Sequence, residues 1–213
     1  MNLEEILDEG LITDAFGRNL ILLDIDDTLL TAQNIYIHRK LPADKTVVKL
    51  TPAQYAEEKV SAENKQYYNY DEFRNPDTVA RSIKTGLPII PNLKVVDDYI
   101  KKGWKVGILT ARGLEDVIFK SMKEWLQYRN KRGDLKKIGH RLIRKMVYAI
   151  NDDNKKYKGS TDFERKVNVI KTLSKKYKKV IFIDDDLKNV NAVRDVKLPN
   201  VQVIQATAKA GDK

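Results

Sequence analysis

Asp24, Asp26 and Asp27 follow directly on the branched apolar run Leu20–Leu23, and Thr28 follows them. An unbroken apolar run of this kind reads as a strand buried on both faces, as in a parallel sheet. Carboxylates just past its end fall in the crevice at the carboxyl edge, where open α/β sheets place their ligands. Like charges so close repel, and a divalent cation held by hard oxygen ligands is the simplest partner for them. Taken alone, the segment also reads as an ordinary acidic turn, because Asp is common in turns.

The same arrangement recurs further along the chain. Lys105–Leu109 ends in Thr110, and Lys179–Ile183 ends in Asp184, Asp185 and Asp186. In a parallel sheet these strand ends share one edge, so residues distant in sequence can meet in one crevice. Two facing carboxylate clusters call for a cation, and Mg²⁺ suits an all-oxygen site that completes its shell with water and substrate phosphate. One carboxylate there can attack phosphorus. A second can protonate the leaving oxygen and then activate water. A hydroxyl and a lysine can hold the phosphoryl oxygens.

The elements that would position these groups alternate between strand and helix. A short helix is expected at Leu3–Leu11, then the strand Leu20–Ile25, helices over Pro91–Lys102 and Leu114–Tyr128, and a strand at Met146–Ile150. A helix that Asp162 could cap runs to about Tyr177, and a helix over Leu187–Val196, with Asp186 as its N-cap, leads to a last strand, Val201–Ile204. Such alternation implies right-handed crossovers and a mostly parallel sheet with helices on both faces. Residues 31–87 lack a clean core pattern. Short strands are expected at Asn34–Ile37 and Thr46–Leu50, and Thr51-Pro52 and Asn75-Pro76 open helices to about Val60 and Lys84. A connection this long is usually functional, a lid or inserted subdomain. Its patch Tyr67, Tyr68, Tyr70 and Phe73 reads as local core in preference to a surface for stacking bases. The expected organisation is an α/β core over 1–30 and 88–213, with 31–87 inserted after the first strand.

Composition bounds the function classes. The 213 residues, 42% hydrophobic, suffice for one sizeable core. There is no cysteine and there are only two histidines, His38 and His140, which excludes thiolate sites and argues against a histidine-rich zinc site. No apolar run approaches the roughly 20 residues of a membrane span, and the acidic amino terminus is unlike a signal peptide. A soluble, cytoplasmic protein is expected. The net charge of +10 favours polyanions or steers small anions, unless the lysines are simply a solvated surface. The dense basic runs, Arg129–Lys145 and Lys171–Lys179, lack interleaved aromatics, so phosphate contact is favoured over base readout.

With these motifs the chain resembles the haloacid dehalogenase (HAD) superfamily. DIDDT at Asp24–Thr28 matches its D-x-D-x-T signature, and ILT at Ile108–Thr110 is similar to its second motif. Lys166 is placed like its third-motif lysine and VIFIDD at Val180–Asp185 like its acidic fourth motif, all in the family's order. The resemblance implies a three-layer Rossmannoid sandwich with strand order 5-4-1-2-3 and a cap formed by 31–87. It implies Asp24 as nucleophile and metal ligand, and Asp26 as general acid/base with its main-chain carbonyl on the metal. Thr110 and Lys166 would bind the phosphoryl group. Asp184 directly, and Asp185 through water or from behind the direct ligands, would complete the Mg²⁺ site.

Alternatives remain for single residues. Thr110 can cap the following helix, and Lys155, Lys156 and Lys158 lie near Lys166. Arg112 is placed either to bind a substrate phosphate as a bidentate donor or to lie on the surface. Asn151–Asn154 reads as a turn at the edge of the site. The T-x-R arrangement at Thr110–Arg112 is similar to that of polynucleotide 3′-phosphatases and nucleotidases. The expected activity is Mg²⁺-dependent hydrolysis of a phosphomonoester, of a nucleotide or a phosphorylated nucleic-acid end. A small-metabolite phosphatase and a nucleic-acid-binding module on the same fold are the competing readings, since fold alone does not set function.

Overall fold

The computed structural model describes residues 19–58, 60, 61, 63–129, 134–152 and 157–212. The helix expected at Leu3–Leu11 lies outside the described residues. The chain opens with β1 (Asn19–Leu23) and β2 (Leu30–Thr31), followed by β3 (Ile37–Arg39), β4 (Val48–Leu50), α1 (Pro52–Glu57), β5 (Tyr68–Asn69), α2 (Pro76–Lys84) and β6 (Leu87–Pro88). Next come α3 (Ile90–Lys101), β7 (Lys105–Thr110), α4 (Glu115–Trp125), β8 (Gln127–Arg129), β9 (Leu135–Lys137) and β10 (Leu142–Ala149). The chain ends with α5 (Asp162–Ser174), β11 (Lys179–Asp184), α6 (Leu187–Asp195) and β12 (Val201–Gln205).

Five strands form one all-parallel sheet in the order β10-β7-β1-β11-β12, which counted along the chain is 5-4-1-2-3 read from the other edge. β1 is central, and alternate residues feed two cores, as the period of two of a strand requires. Ile21 and Leu23 pack with Leu93 and Val96 of α3 and Ile118 and Met122 of α4. Leu20 and Leu22 pack with Val169, Ile170 and Leu173 of α5 and Val193 of α6. Helices therefore cover both faces in a Rossmann-like α/β arrangement, and both faces of β1 are sealed from water. Register places Leu23 opposite Ile108 and Ile183, so Asp24, Thr110 and Asp184 emerge at the same carboxyl edge.

The segment 31–87 leaves and re-enters the core through the antiparallel pair β2–β6, with Thr31 opposite Leu87. Its outer part is the antiparallel sheet β4-β3-β5. The strand expected at Asn34–Ile37 begins only at Ile37. Asn34 has φ 56°, which extended pairing cannot pass through, and the Tyr36 N–H donates to the Glu72 carboxylate at 2.8 Å. The helix α1 stops at Glu57, short of Val60: Glu58 is extended, with ψ 134°, and its carboxylate pairs with Arg39 and Tyr68. Although α2 lies within the inserted segment in sequence, Val79 and Ile83 share the core cluster of Ile118 and Met122.

Tertiary partners also end α4 early. The expected helix to Tyr128 stops at Trp125, the Leu126 carbonyl accepts from the Ile138 and Gly139 N–H groups, and Gln127–Arg129 pairs with Leu135–Lys137. Gly139 is needed at this contact, since a Cβ there would lie 2.1 Å from the Lys123 carbonyl oxygen. In the described part of the basic stretch Ile138 and Leu142 are buried, as is Tyr128 just before it. The last strand pairing, β10 with β7, shifts register between Leu142 and Val147. Asp186 caps α6, its Oδ1 accepting from Lys188 N–H at 2.9 Å. Thr161, one residue before the expected Asp162, caps α5 in a reciprocal box with Glu164. Among the described residues no helix is long and apolar enough to cross a membrane.

Asp97 of α3 joins the β8 region to the core. Burial pushes its carboxyl up, but hydrogen bonds from Lys101 and Tyr128 outweigh this and hold it below its ordinary value. The Tyr128 hydroxyl donates to it at 2.8 Å in a buried setting, whereas Lys101 is largely exposed and contributes little. A depressed folded pKa gives stability that is present above the unfolded value and lost as pH falls through the folded one. Asp97→Asn is therefore expected to lower stability near neutral pH by about 1–3 kcal/mol. It should also remove part of the loss that the wild-type protein suffers below about pH 4. Urea midpoints measured from pH 7 to pH 3 check both limbs.

Candidate active site

The loop after β1 is built to present carboxylates. The Asp24 N–H donates to the Ile183 carbonyl at 3.0 Å, carrying the sheet one residue past the strand. Leu29 and Leu30 N–H groups return to the Ile25 carbonyl at 2.9 and 3.1 Å. Asp27 takes φ 50°, a conformation Asp tolerates better than most residues, and its carboxylate accepts from the Thr31 hydroxyl at 3.1 Å. Thr28 fastens this loop to the end of β11. Its hydroxyl oxygen accepts from the Asp185 N–H at 3.0 Å and lies 3.2 Å from Asp185 Oδ1, to which it donates. Asn92 Nδ2 donates to the Thr28 carbonyl at 2.7 Å.

Lys166 stands on the apolar face of α5 with Val169, Ile170 and Leu173, and only 1% of it is exposed. Its Nζ donates to Asp24 Oδ1 at 2.8 Å and to Asp184 Oδ2 at 2.7 Å. Asp184 also accepts from both sides of its own helix start. Asp186 N–H reaches Oδ1 at 2.9 Å, and Asn189 Nδ2 lies 3.2 and 3.1 Å from the two oxygens. Burial works against the Lys166 charge, but Asp24 and Asp184 raise its pKa above the ordinary lysine value and keep it charged. Burial, with Asp184, Asp26 and Asp185 nearby, pushes the Asp24 carboxyl well up despite Lys166. Burial and then Asp184 push Asp185 up to about 6.

One oxygen from each of Asp24, Asp184 and Asp185 lies within 4.8 Å of the others. Lys166 thus faces two of these carboxylates, Asp24 and Asp184, and the half-buried Asp185 stands beside them without a lysine of its own. The donor set is all oxygen and carboxylate, which fits a hard divalent cation such as Mg²⁺ and suits soft or nitrogen-seeking metals poorly. The Asp26 carboxylate is outside this cluster.

Arg112, expected either at a substrate phosphate or on the surface, is not a surface residue. Its Nε and Nη2 donate to the two oxygens of Asp26 at 2.8 and 2.7 Å, and its Nη1 donates to Ser82 Oγ at 2.9 Å. It is 3% exposed, and although burial opposes its charge, Asp26 raises its pKa further. The guanidinium therefore holds Asp26 at the wall of the site. Thr110 is buried at the end of β7, where its hydroxyl oxygen accepts from the Arg112 N–H at 3.3 Å. Beyond it Asn151 Nδ2 donates to the Ala111 carbonyl at 2.6 Å. Gly113 follows so close to Asn151 that a Cβ would sit 3.0 Å from its carbonyl oxygen. Asn151 thus belongs to the edge of the site, while Asp153 and Asn154 of the same turn lie outside the described residues.

Sequence reasoning assigned no role to Thr28, Ser82, Asn92 or Asn189. Thr28 carries a signal in its fixed place after the aspartates, but the other three have no local mark. Compared with models of known families, with curated proteins and with solved structures, the chain gives no match.

Proposed function

We propose that the protein is a Mg²⁺-dependent phosphomonoesterase that works through an aspartyl-phosphate on Asp24, as its resemblance to the HAD superfamily implies. The observation that carries this reading is Lys166 Nζ, buried and bonded to both Asp24 and Asp184, with Asp185 completing a carboxylate cluster. A structural domain gains nothing from burying two carboxylates on one lysine with a third carboxylate beside them, since each ion taken out of water is costly.

In this mechanism an oxygen of Asp24 attacks the phosphorus of the monoester, and the bond from phosphorus to the alcohol oxygen breaks. Asp26 gives the leaving oxygen a proton, then takes one from the water that hydrolyses the aspartyl-phosphate. Arg112 holds the Asp26 carboxylate by both oxygens, so one of these hydrogen bonds must yield when Asp26 carries the proton. Lys166 and the Thr110 hydroxyl hold phosphoryl oxygens, Lys166 offsetting negative charge beside Asp24. Asp24, Asp184 and Asp185, with the Asp26 carbonyl that the resemblance adds, would hold Mg²⁺, which would supply charge neutralisation for the phosphoryl oxygens. Residues 31–87 act as a cap over the carboxyl edge, and keep bulk water from the reacting groups.

Phosphate release from p-nitrophenyl phosphate, 5′- and 3′-nucleotides and 3′-phosphorylated oligonucleotides tests the reading. Release is expected in Mg²⁺ and is expected to stop in EDTA. No release from any of these in Mg²⁺ would overturn it.

A further inference from the structure

A cavity of about 320 Å³ opens between the inserted segment and the carboxyl edge of the sheet. That volume lies at the lower end of the range for small-molecule sites. Asp26 and Arg112 line its floor, Tyr55, Tyr70 and Phe73 of the inserted segment line its wall, and Asp162, already paired with Arg165, adds a carboxylate to the lining. Tyr55 and Tyr70 stand nearly perpendicular, at 88°, and their hydroxyls bond to each other at 2.7 Å, which makes the two rings a braced corner. The tyrosine patch is thus both local core, through Tyr55 on Tyr68, and a cavity lining.

Of the cations of this segment, Lys65 and Arg74 are the two that line the cavity; elsewhere Lys49 lies over the Tyr36 ring, and Lys40, Lys45, Arg81 and Lys84 make no ion pair among the described residues. Arg39 is matched by Asp44 and Glu58. Lys65 and Arg74 are exposed, and their side chains make no ion pair or hydrogen bond among the described residues. A polar floor carrying the proposed acid/base, an aromatic wall and two unmatched cations at the rim describe a ligand in three parts. A flat ring meets aromatic side chains favourably whatever its edge pattern, and an anion satisfies the two cations.

From this geometry we infer that the cavity receives the leaving group, and that this is a nucleoside carrying a second phosphate. The base lies against Tyr55, Tyr70 and Phe73, and the second phosphate is held by Lys65 and Arg74. The inference rests on the phosphatase reading for which phosphate is removed. The second phosphate is either the nucleotide's own or the next phosphodiester of a strand, and the chemistry recognised is the same.

The test is calorimetric titration of the full chain in EDTA, where turnover is blocked, with four probes. These are ribose 5-phosphate, adenosine 5′-monophosphate, adenosine 3′,5′-bisphosphate and 5′-phosphorylated dithymidine. The monophosphate is expected to bind about tenfold more tightly than the sugar phosphate, the worth of a stacked base. The second phosphate is expected to add roughly fivefold, since exposed ion pairs are individually weak. The exposed double variant Lys65→Gln/Arg74→Gln should lose that second gain and keep the first. A gain limited to the dinucleotide assigns the second phosphate to a strand, and a gain shared with the bisphosphate assigns it to a free nucleotide. Equal binding of all four probes, no binding of any, or an undiminished second gain in the double variant overturns the inference. Failure here with hydrolysis of p-nitrophenyl phosphate intact leaves the phosphatase reading standing. Ordered binding without hydrolysis of any ester does the reverse.

Discussion

Asp24→Asn is expected to abolish phosphate release, by a factor on the order of 10⁴ or more, while leaving the protein folded. The amide keeps the shape of the carboxylate and removes the nucleophilic oxygen anion. It also removes one charge from a buried cluster in which burial and three other aspartates already disfavour the Asp24 anion. Lys166 keeps Asp184 at 2.7 Å, so the lysine is not left unpaired. A thermal midpoint equal to or above the wild-type value, together with lost turnover at saturating substrate, is the expected pair of results. Retained turnover in a folded Asp24→Asn protein would remove Asp24 from the chemistry. A collapsed midpoint would instead assign it to the fold.

Lys166→Met is expected to act in the opposite sense on stability. The side chain is of similar length and apolar, so packing on α5 is largely kept and the change isolates the charge. Asp24 and Asp184 are then buried without their cation, which costs about 3–5 kcal/mol when one partner of a buried ion pair is removed. Turnover falls as well, because the phosphoryl oxygens lose a donor. Magnesium should raise the denaturation midpoint of the variant more than that of the wild-type protein, since without the lysine Asp24 and Asp184 attract the cation more strongly and tighter binding to the folded state stabilises it more. Equal midpoints for the two proteins without metal would show that the lysine does not balance the cluster. Equal responses to Mg²⁺ would argue against a cation site among Asp24, Asp184 and Asp185.

Much of the core was legible because its signals are local. The apolar runs at Leu20, Lys105 and Lys179 read as buried strands, and each ends at the carboxyl edge where Asp24, Thr110 and Asp184 emerge. Lys166 was legible only through the resemblance, with Lys155, Lys156 and Lys158 as rivals, and it is the packing of α5 that puts it on the face with Val169, Ile170 and Leu173. Asp186 and the Pro76–Lys84 helix followed from capping and proline placement.

What the tertiary structure decided is partnership across long stretches of chain. Arg112 turns to Asp26, 86 residues away, in place of solvent. Thr28 clamps Asp185 across 157 residues. Leu126 ends α4 by accepting from Ile138 and Gly139. The cavity joins Tyr55 and Tyr70 of the inserted segment to Asp26 of the core. Periodicity and caps report only what one element prefers within a turn or two. A guanidinium or hydroxyl has several partners of nearly equal strength within reach, and only the packed backbone determines which is near enough to bond.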